Sequence, residues 1–95
     1  MKDLSKYEGI FPAFYACYNK EGQVDAQAAR ALANYLLDKG VKGLYVGGSS
    51  GECIYQSVAE RKATLEAVMA EVGGKLTIIA HVACNNTADS RELAA

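Results

Sequence analysis

The sequence predicts an α/β fold assembled from repeating βα units, and three observations predict it. Short apolar runs recur at a fixed spacing: Ile10-Phe11-Pro12-Ala13-Phe14-Tyr15-Ala16 after Gly9, Leu44-Tyr45-Val46 after Gly43, and Leu76-Thr77-Ile78-Ile79-Ala80-His81-Val82 after Gly73-Gly74-Lys75. The step from Ile10 to Leu44 is 34 residues (44 − 10), and from Leu44 to Ile78 it is again 34 (78 − 44). The runs are continuous rather than alternating, which marks strands buried on both faces of a parallel sheet. The segments between them carry helical periodicity with capping signals.

The elements follow in order. Strands are expected over about 10–16, 44–48 and 76–83. Pro12 lacks a backbone donor, so the first strand should start irregularly, as an edge does. A helix over about 25–39 opens at Asp25, presents Ala28, Ala29, Leu32, Tyr35 and Leu36 as one apolar stripe, and stops at Gly40. A second, over about 57–72, opens with the capping box Ser57-Val58-Ala59-Glu60. Its stripe is Ala63 or Thr64, Leu65, Val68, Met69 and Val72. Asn86 or Thr87 caps a third helix beginning at about 87.

Three parallel strands leave sheet edges open. The chain therefore reads as the first part of a larger architecture, either an eight-fold βα barrel of roughly 250 residues or a doubly wound open sheet. From periodicity alone the two stand close.

Composition excludes several function classes. Hydrophobic residues make up 51% and charged residues 22%, which suits a folded core and not a disordered segment. Ten basic residues against eleven acidic give a net charge of −1 with no basic run, so neither nucleic acid nor an anionic membrane surface is an expected partner. No apolar run approaches the ~18 residues of a membrane span. The N-terminus, from Met1 to Glu8, has no apolar core of the kind a signal peptide carries. Three widely spaced cysteines, Cys17, Cys53 and Cys84, make a poor disulfide framework and suit a reducing cytoplasm.

The segment that carries chemistry is Leu44-Tyr45-Val46-Gly47-Gly48-Ser49-Ser50-Gly51-Glu52, where a strand enters a glycine-rich turn bearing two hydroxyls. Glycine permits close backbone approach and positive φ. Free N–H groups at such a turn attract anions, and the serines add donors for a carboxylate. Gly-Ser-Ser-Gly also suits an ordinary loop. No Walker A sequence and no G-x-G-x-x-G spacing is present, which disfavours a nucleotide ligand.

Gly43 to Glu52 closely resembles the N-acetylneuraminate lyase and dihydrodipicolinate synthase family of class I aldolases, which has a G-[ST]-[ST]-G-E turn after barrel strand two. Gln56-Ser57 followed by Glu60-Arg61 is similar to the lyase branch, as is Ile79-Ala80-His81-Val82, while Tyr7-Glu8-Gly9-Ile10 resembles the family's usual start of strand one. The resemblance covers almost the whole chain. It implies the first three βα units of a (β/α)8 TIM barrel, with residues 1–95 forming the N-terminal part of one barrel domain.

The resemblance further implies a cytoplasmic homotetramer that makes or breaks a carbon–carbon bond next to pyruvate, with no cofactor and no metal. A lysine amine forms a Schiff base with the keto carbon and a tyrosine transfers the proton. Ser49 would then be the proton-relay hydroxyl and Ser50 the carboxylate-binding hydroxyl, with backbone N–H groups, Gly48 included, alongside. Sialic acid, split to N-acetylmannosamine and pyruvate, is the implied substrate. Condensation by a dihydrodipicolinate synthase, or by another pyruvate-dependent aldolase, is the second reading. A non-catalytic α/β module binding a small anion at the same turn is the third.

Two features depart from the family. Its common L-x-T-P-F after strand one is replaced by Phe14-Tyr15-Ala16-Cys17-Tyr18. The catalytic lysine and tyrosine belong to later strands in the family. None of Lys2, Lys6, Lys20, Lys39, Lys42, Lys62 and Lys75 is expected at a strand's carboxyl end, where barrel catalysis sits. The 95-residue chain by itself is expected to be inactive.

Other residues favour plain roles. Glu52 reads as a carboxylate accepting backbone N–H bonds in the following turn rather than as a general base. His81 reads as a hydrogen-bonded core histidine. Tyr15, Tyr18, Tyr45 and Tyr55 read as packed rings near one rim, one of them free to meet substrate or a neighbouring subunit. The cysteines read as small buried residues; three thiolates near one rim also have the makings of a zinc site, but no C-x-x-C spacing supports it.

Overall fold

The structure, a computed structural model, describes residues 5–95. Lys2 and the Lys6 side chain lie outside what it describes. Two parallel strands, β1 (Gly43–Val46) and β2 (Thr77–Ala80), pair Gly43 with Thr77 through Val46 with Ala80. Three helices follow the expected order: α1 (Ala26–Asp38), α2 (Val58–Val72) and α3 (Thr87–Ala94). Among the described residues no helix is long and apolar enough to cross a membrane.

The first predicted strand, 10–16, does not form a ladder. It runs extended along the far edge of β1, with a single parallel bridge from Ala13 to Tyr45. Three bonds hold it: Lys42 N–H donates to Ile10 O, Tyr45 N–H to Pro12 O, and Phe14 N–H to Tyr45 O, at 2.9–3.0 Å. Continuing the parallel pattern would need a donor from residue 12 toward Gly43, and proline has none. The sheet order is thus the 10–14 segment, then β1, then β2.

The other strands are shorter than expected. β1 stops at Val46, not at 48, because Gly47 turns to φ +82°. β2 ends at Ala80, not at 83, because β1 offers nothing beyond the bond from His81 N–H to Val46 O at 2.8 Å.

The helix ends follow local chemistry. Asp25 caps α1 by accepting from Ala28 N–H at 3.0 Å, and Gly40 leaves the helix at φ +81°. Ser57 and Glu60 form a reciprocal capping box at α2, at 3.1 and 2.8 Å. Asn86, rather than Thr87, caps α3.

The core lies between the sheet and the two longer helices. Phe14, Leu44, Val46 and Leu76 meet Ala29 and Ala33 of α1 and Ala67, Val68 and Val72 of α2. Complete burial of each large side chain contributes about 1.5–3 kcal/mol. Two expected core residues are exposed. Tyr35 is 58% exposed and lies under the Lys39 ammonium, and Met69 is 47% exposed. On α1 the smaller Ala33 takes the inward position, letting the helices approach. Asn34 Nδ2 donates to Glu71 Oε2 across that contact at 2.6 Å.

Candidate active site

The site is built at the carboxyl end of β1. Gly47 reverses the chain at φ +82°, Ser49–Gly51 forms a 3-10 turn, and Glu52 links it at φ +60° to a second 3-10 turn, Cys53–Tyr55. Glu52 is the one non-glycine residue with positive φ among those described. Its exposed side chain makes no capping bond, so its expected role as acceptor for the next turn does not hold. Its left-handed backbone joins two tight turns, and such a conformation in a non-glycine residue stores local strain.

Glycine is needed on both sides of the serines. A Cβ on Gly48 would collide with the Tyr45 ring, and one on Gly51 would sit 2.9 Å from Phe14 O. Gly48 is therefore buried under Tyr45, and its carbonyl accepts from Gly51 N–H and Cys53 N–H at 3.0 and 3.3 Å. Ser49 and Ser50 are exposed, and neither hydroxyl is bonded to another of the described residues.

Beside the turn lies a cavity of about 430 Å³, lined by Ser49, Cys53, Gln56, Arg61, His81, Cys84 and Asn85 among others. Ser49 opens onto this space, whereas Ser50 and Gly48 do not line it. Among the rim tyrosines, Tyr15 and Tyr55 are 67% and 77% exposed and are not packed in a core. Tyr18 accepts from Gln56 Nε2 at 3.0 Å and so ties the first loop to the end of the turn. Tyr45 meets His81 edge-on, ring centroids 5.7 Å apart.

Sequence reasoning gave Arg61 no role. It belongs to the first turns of α2 and is only 6% exposed. Its Nη1 donates to Ala83 O at 2.8 Å and to Cys84 Sγ at 3.0 Å. Its Nη2 donates to His81 O at 2.8 Å and Gly47 O at 3.3 Å, and lies 3.3 Å from His81 Nδ1. The signal was the Glu60-Arg61 pair beside the turn, which an apolar stripe ignores. His81 is half-buried and partnered, but by an arginine at the cavity wall.

The cysteines are free, Cys53 buried and the other two half-buried. Burial, and secondarily the Asp25 carboxylate, raises the Cys17 thiol above its ordinary pKa of 9.0. Among the described residues no group of three or more His, Cys, Asp or Glu side chains is placed to hold a metal ion. Lys20 lies at the exposed tip of the 18–24 loop, Lys39 caps α1, Lys62 pairs with Glu92 at 2.9 Å, and Lys42 and Lys75 precede β1 and β2. None adjoins the serine pair.

Comparison with known proteins bears on the family and the fold. The profile of the Dihydrodipicolinate synthetase family matches residues 6–95. The N-acetylneuraminate lyase of Mediterraneibacter gnavus is 63% identical over 94 residues, 99% of this chain and 30% of that protein. A Ruminococcus gnavus sialic acid aldolase, solved as its catalytic lysine mutant, superposes with a TM-score of 0.97 at 63% identity, over 99% of this chain and 31% of that one. The Fusobacterium nucleatum N-acetylneuraminate lyase, solved with pyruvate, superposes with a TM-score of 0.87 at 34% identity, over 95% and 31% of the two chains. The chain spans about 30% of the length of the curated relatives it matches. It belongs to the dihydrodipicolinate synthetase family and folds as the first βα units of that family's (β/α)8 barrel.

Proposed function

We propose that the protein carrying this chain is a Schiff-base aldolase that cleaves N-acetylneuraminate to N-acetylmannosamine and pyruvate. The observation that carries the reading is the Ser49-Ser50 pair. These two unpartnered hydroxyls sit on a glycine-bounded turn at a strand's carboxyl end, in a chain 63% identical to an N-acetylneuraminate lyase. Ser50 and the Gly48 backbone N–H hold the pyruvate carboxylate, and Ser49 relays the proton. A lysine from a later strand forms the Schiff base, and a tyrosine from a later strand moves the proton. The electron pair of the cleaved carbon–carbon bond becomes the C=C of an enamine as the iminium π pair moves onto nitrogen. Protonation of the enamine carbon and hydrolysis of the imine by water then release pyruvate and free the lysine. The proton of the sugar-side hydroxyl departs through the tyrosine and Ser49. The same reading gives a cytoplasmic homotetramer. Ile54 and Tyr55, 80% and 77% exposed beside the turn, supply apolar surface for the rest of the barrel or a neighbouring subunit.

A coupled assay for pyruvate release tests the reading on the full-length protein. Sialic acid turnover is expected, with little condensation of pyruvate and aspartate semialdehyde; robust condensation without sialic acid turnover makes it a dihydrodipicolinate synthase. Pyruvate binding with neither activity makes it a non-catalytic anion-binding module. Ser49→Ala should lower kcat by roughly 10²-fold, as loss of a proton-transfer group does, and Ser50→Ala should act mainly on the pyruvate KM. Borohydride with pyruvate should leave no adduct on the 95-residue chain alone; an adduct would show that a lysine of this chain serves as nucleophile.

A further inference from the structure

We infer that Arg61 is a positioning residue that sets the Ser49-Ser50 turn against the loop after β2. The inference rests on the aldolase reading for its kinetic consequence and on geometry for the rest. Arg61 is buried, yet it pairs with no carboxylate among the described residues, where Lys62–Glu92 is the ion pair. A desolvated guanidinium needs compensation. Here backbone carbonyls provide it at the two Nη atoms, Gly47 from the first loop and His81 and Ala83 from the second, with Cys84 Sγ as a further acceptor, while Nε is buried without a partner among the described residues. A cation near a helix N-terminus also opposes the helix dipole, so helix stability does not explain its presence. What the contacts accomplish is to pin two separate loops to one rigid fork.

Arg61 reaches the serines by two routes. The direct one is the Gly47 carbonyl, two residues before Ser49. The indirect one runs through rings. Guanidinium nitrogens only donate, and Nη2 lies 3.3 Å from His81 Nδ1, a ring nitrogen able to accept. That contact orients the His81 ring, which meets Tyr45 edge-on at an interplanar angle of 67°. Tyr45 in turn covers Gly48, the residue before Ser49. Both routes end on the turn proposed to grip the pyruvate carboxylate, so the kinetic effect is expected on pyruvate.

The test uses Arg61→Lys and His81→Gln in the full-length protein. Lysine keeps the charge but lacks the planar fork; glutamine can still accept from Arg61. Arg61→Lys should raise the pyruvate KM about tenfold in the condensation direction while the N-acetylmannosamine KM stays within about twofold. His81→Gln keeps an acceptor for Arg61 but removes the ring that meets Tyr45, so it should raise the pyruvate KM by less than Arg61→Lys does, about threefold. A larger rise than in Arg61→Lys would place the coupling in the rings and not in the guanidinium, and overturns the inference. Amide hydrogen exchange should accelerate about tenfold at residues 47–52 and 81–84 in Arg61→Lys, with α1 unchanged. Exchange that is unaltered, or faster uniformly across the chain, overturns the inference whatever reaction the protein performs. A wild type without aldolase turnover defeats the aldolase reading alone, since the exchange result still decides the role of Arg61. Wild-type turnover with both KM values moved equally, or neither moved, also overturns the positioning role.

Discussion

α1 and α2 do the same structural job and are built differently. Both pack against the sheet in one shared core, each has a side-chain N-cap, and they touch through Asn34 and Glu71. α1 buries only alanines completely, Ala29 and Ala33, with leucines flanking them. α2 buries Arg61 and Thr64 along with Ala67, Val68 and Val72. The difference teaches where a covering helix stops being cover. α1 is a spacer whose small residues set its distance, whereas the N-terminal part of α2 is part of the site's frame.

Breaking the comparison at its polar end should have the largest effect. Arg61→Leu leaves the Gly47, His81 and Ala83 carbonyls without their donor. A loss of roughly 3 kcal/mol is expected, read from the denaturation midpoint of the full-length protein, because three part-buried acceptors lose a charged donor together. The equivalent insult to α1 is Ala33→Leu, which pushes α1 off a packed core where Ala33 is fully buried. Overpacking of this kind should cost about 1–3 kcal/mol. It should leave the pyruvate KM unchanged, since among the described residues no hydrogen bond joins α1 to the serine turn. If Ala33→Leu shifts that KM as Arg61→Lys does, the contrast between spacer and frame collapses.

A smaller test runs in the opposite direction. Thr64 Oγ1 is buried with no hydrogen-bond partner among the described residues. Thr64→Val keeps the shape and removes the unpaired hydroxyl, so stability should rise by about 1 kcal/mol. A loss instead would mean that the hydroxyl is satisfied in solution, by water or by another part of the protein.

The same contrast explains what was legible in the sequence. The limits of α1 were readable, because Asp25 and Gly40 are local signals acting within one or two turns, but its stripe named Tyr35 where Ala33 is the buried residue. The Gly47–Glu52 turn was readable because its glycines answer steric demands, Gly47 at positive φ and Gly48 and Gly51 against Tyr45 and Phe14. Arg61 was not, because its acceptors lie 14 to 23 residues away and four of its five partners are main-chain atoms or a thiol. No pattern of side-chain types encodes a carbonyl. Pro12 gave the irregularity of the first strand correctly, but not that its missing donor would reduce the strand to one bridge. Glu52 misled because its value lies in the backbone angle, not in the carboxylate.

The smallest expected effect sharpens the comparison at the entrance to α1. Cys17 packs against the core just before the Asp25 cap, and Asp25 N–H donates to Cys17 O at 2.8 Å. Burial, then the Asp25 carboxylate, raises the thiol pKa above 9.0. The folded state therefore favours the neutral thiol. Its contribution to stability is complete below the unfolded pKa and is lost as pH rises through the higher folded value. Stability should decline in that alkaline window, and Cys17→Ser should flatten the decline. At pH 8 Cys17 should also alkylate with iodoacetamide more slowly than a free thiol of ordinary pKa, since the thiolate is the reacting form. Asp25→Asn removes the lesser cause, so it should recover only part of the lost reactivity. Full recovery would mean that charge, and not burial, governs this thiol, and that the N-cap of α1 shapes chemistry as the first turns of α2 do.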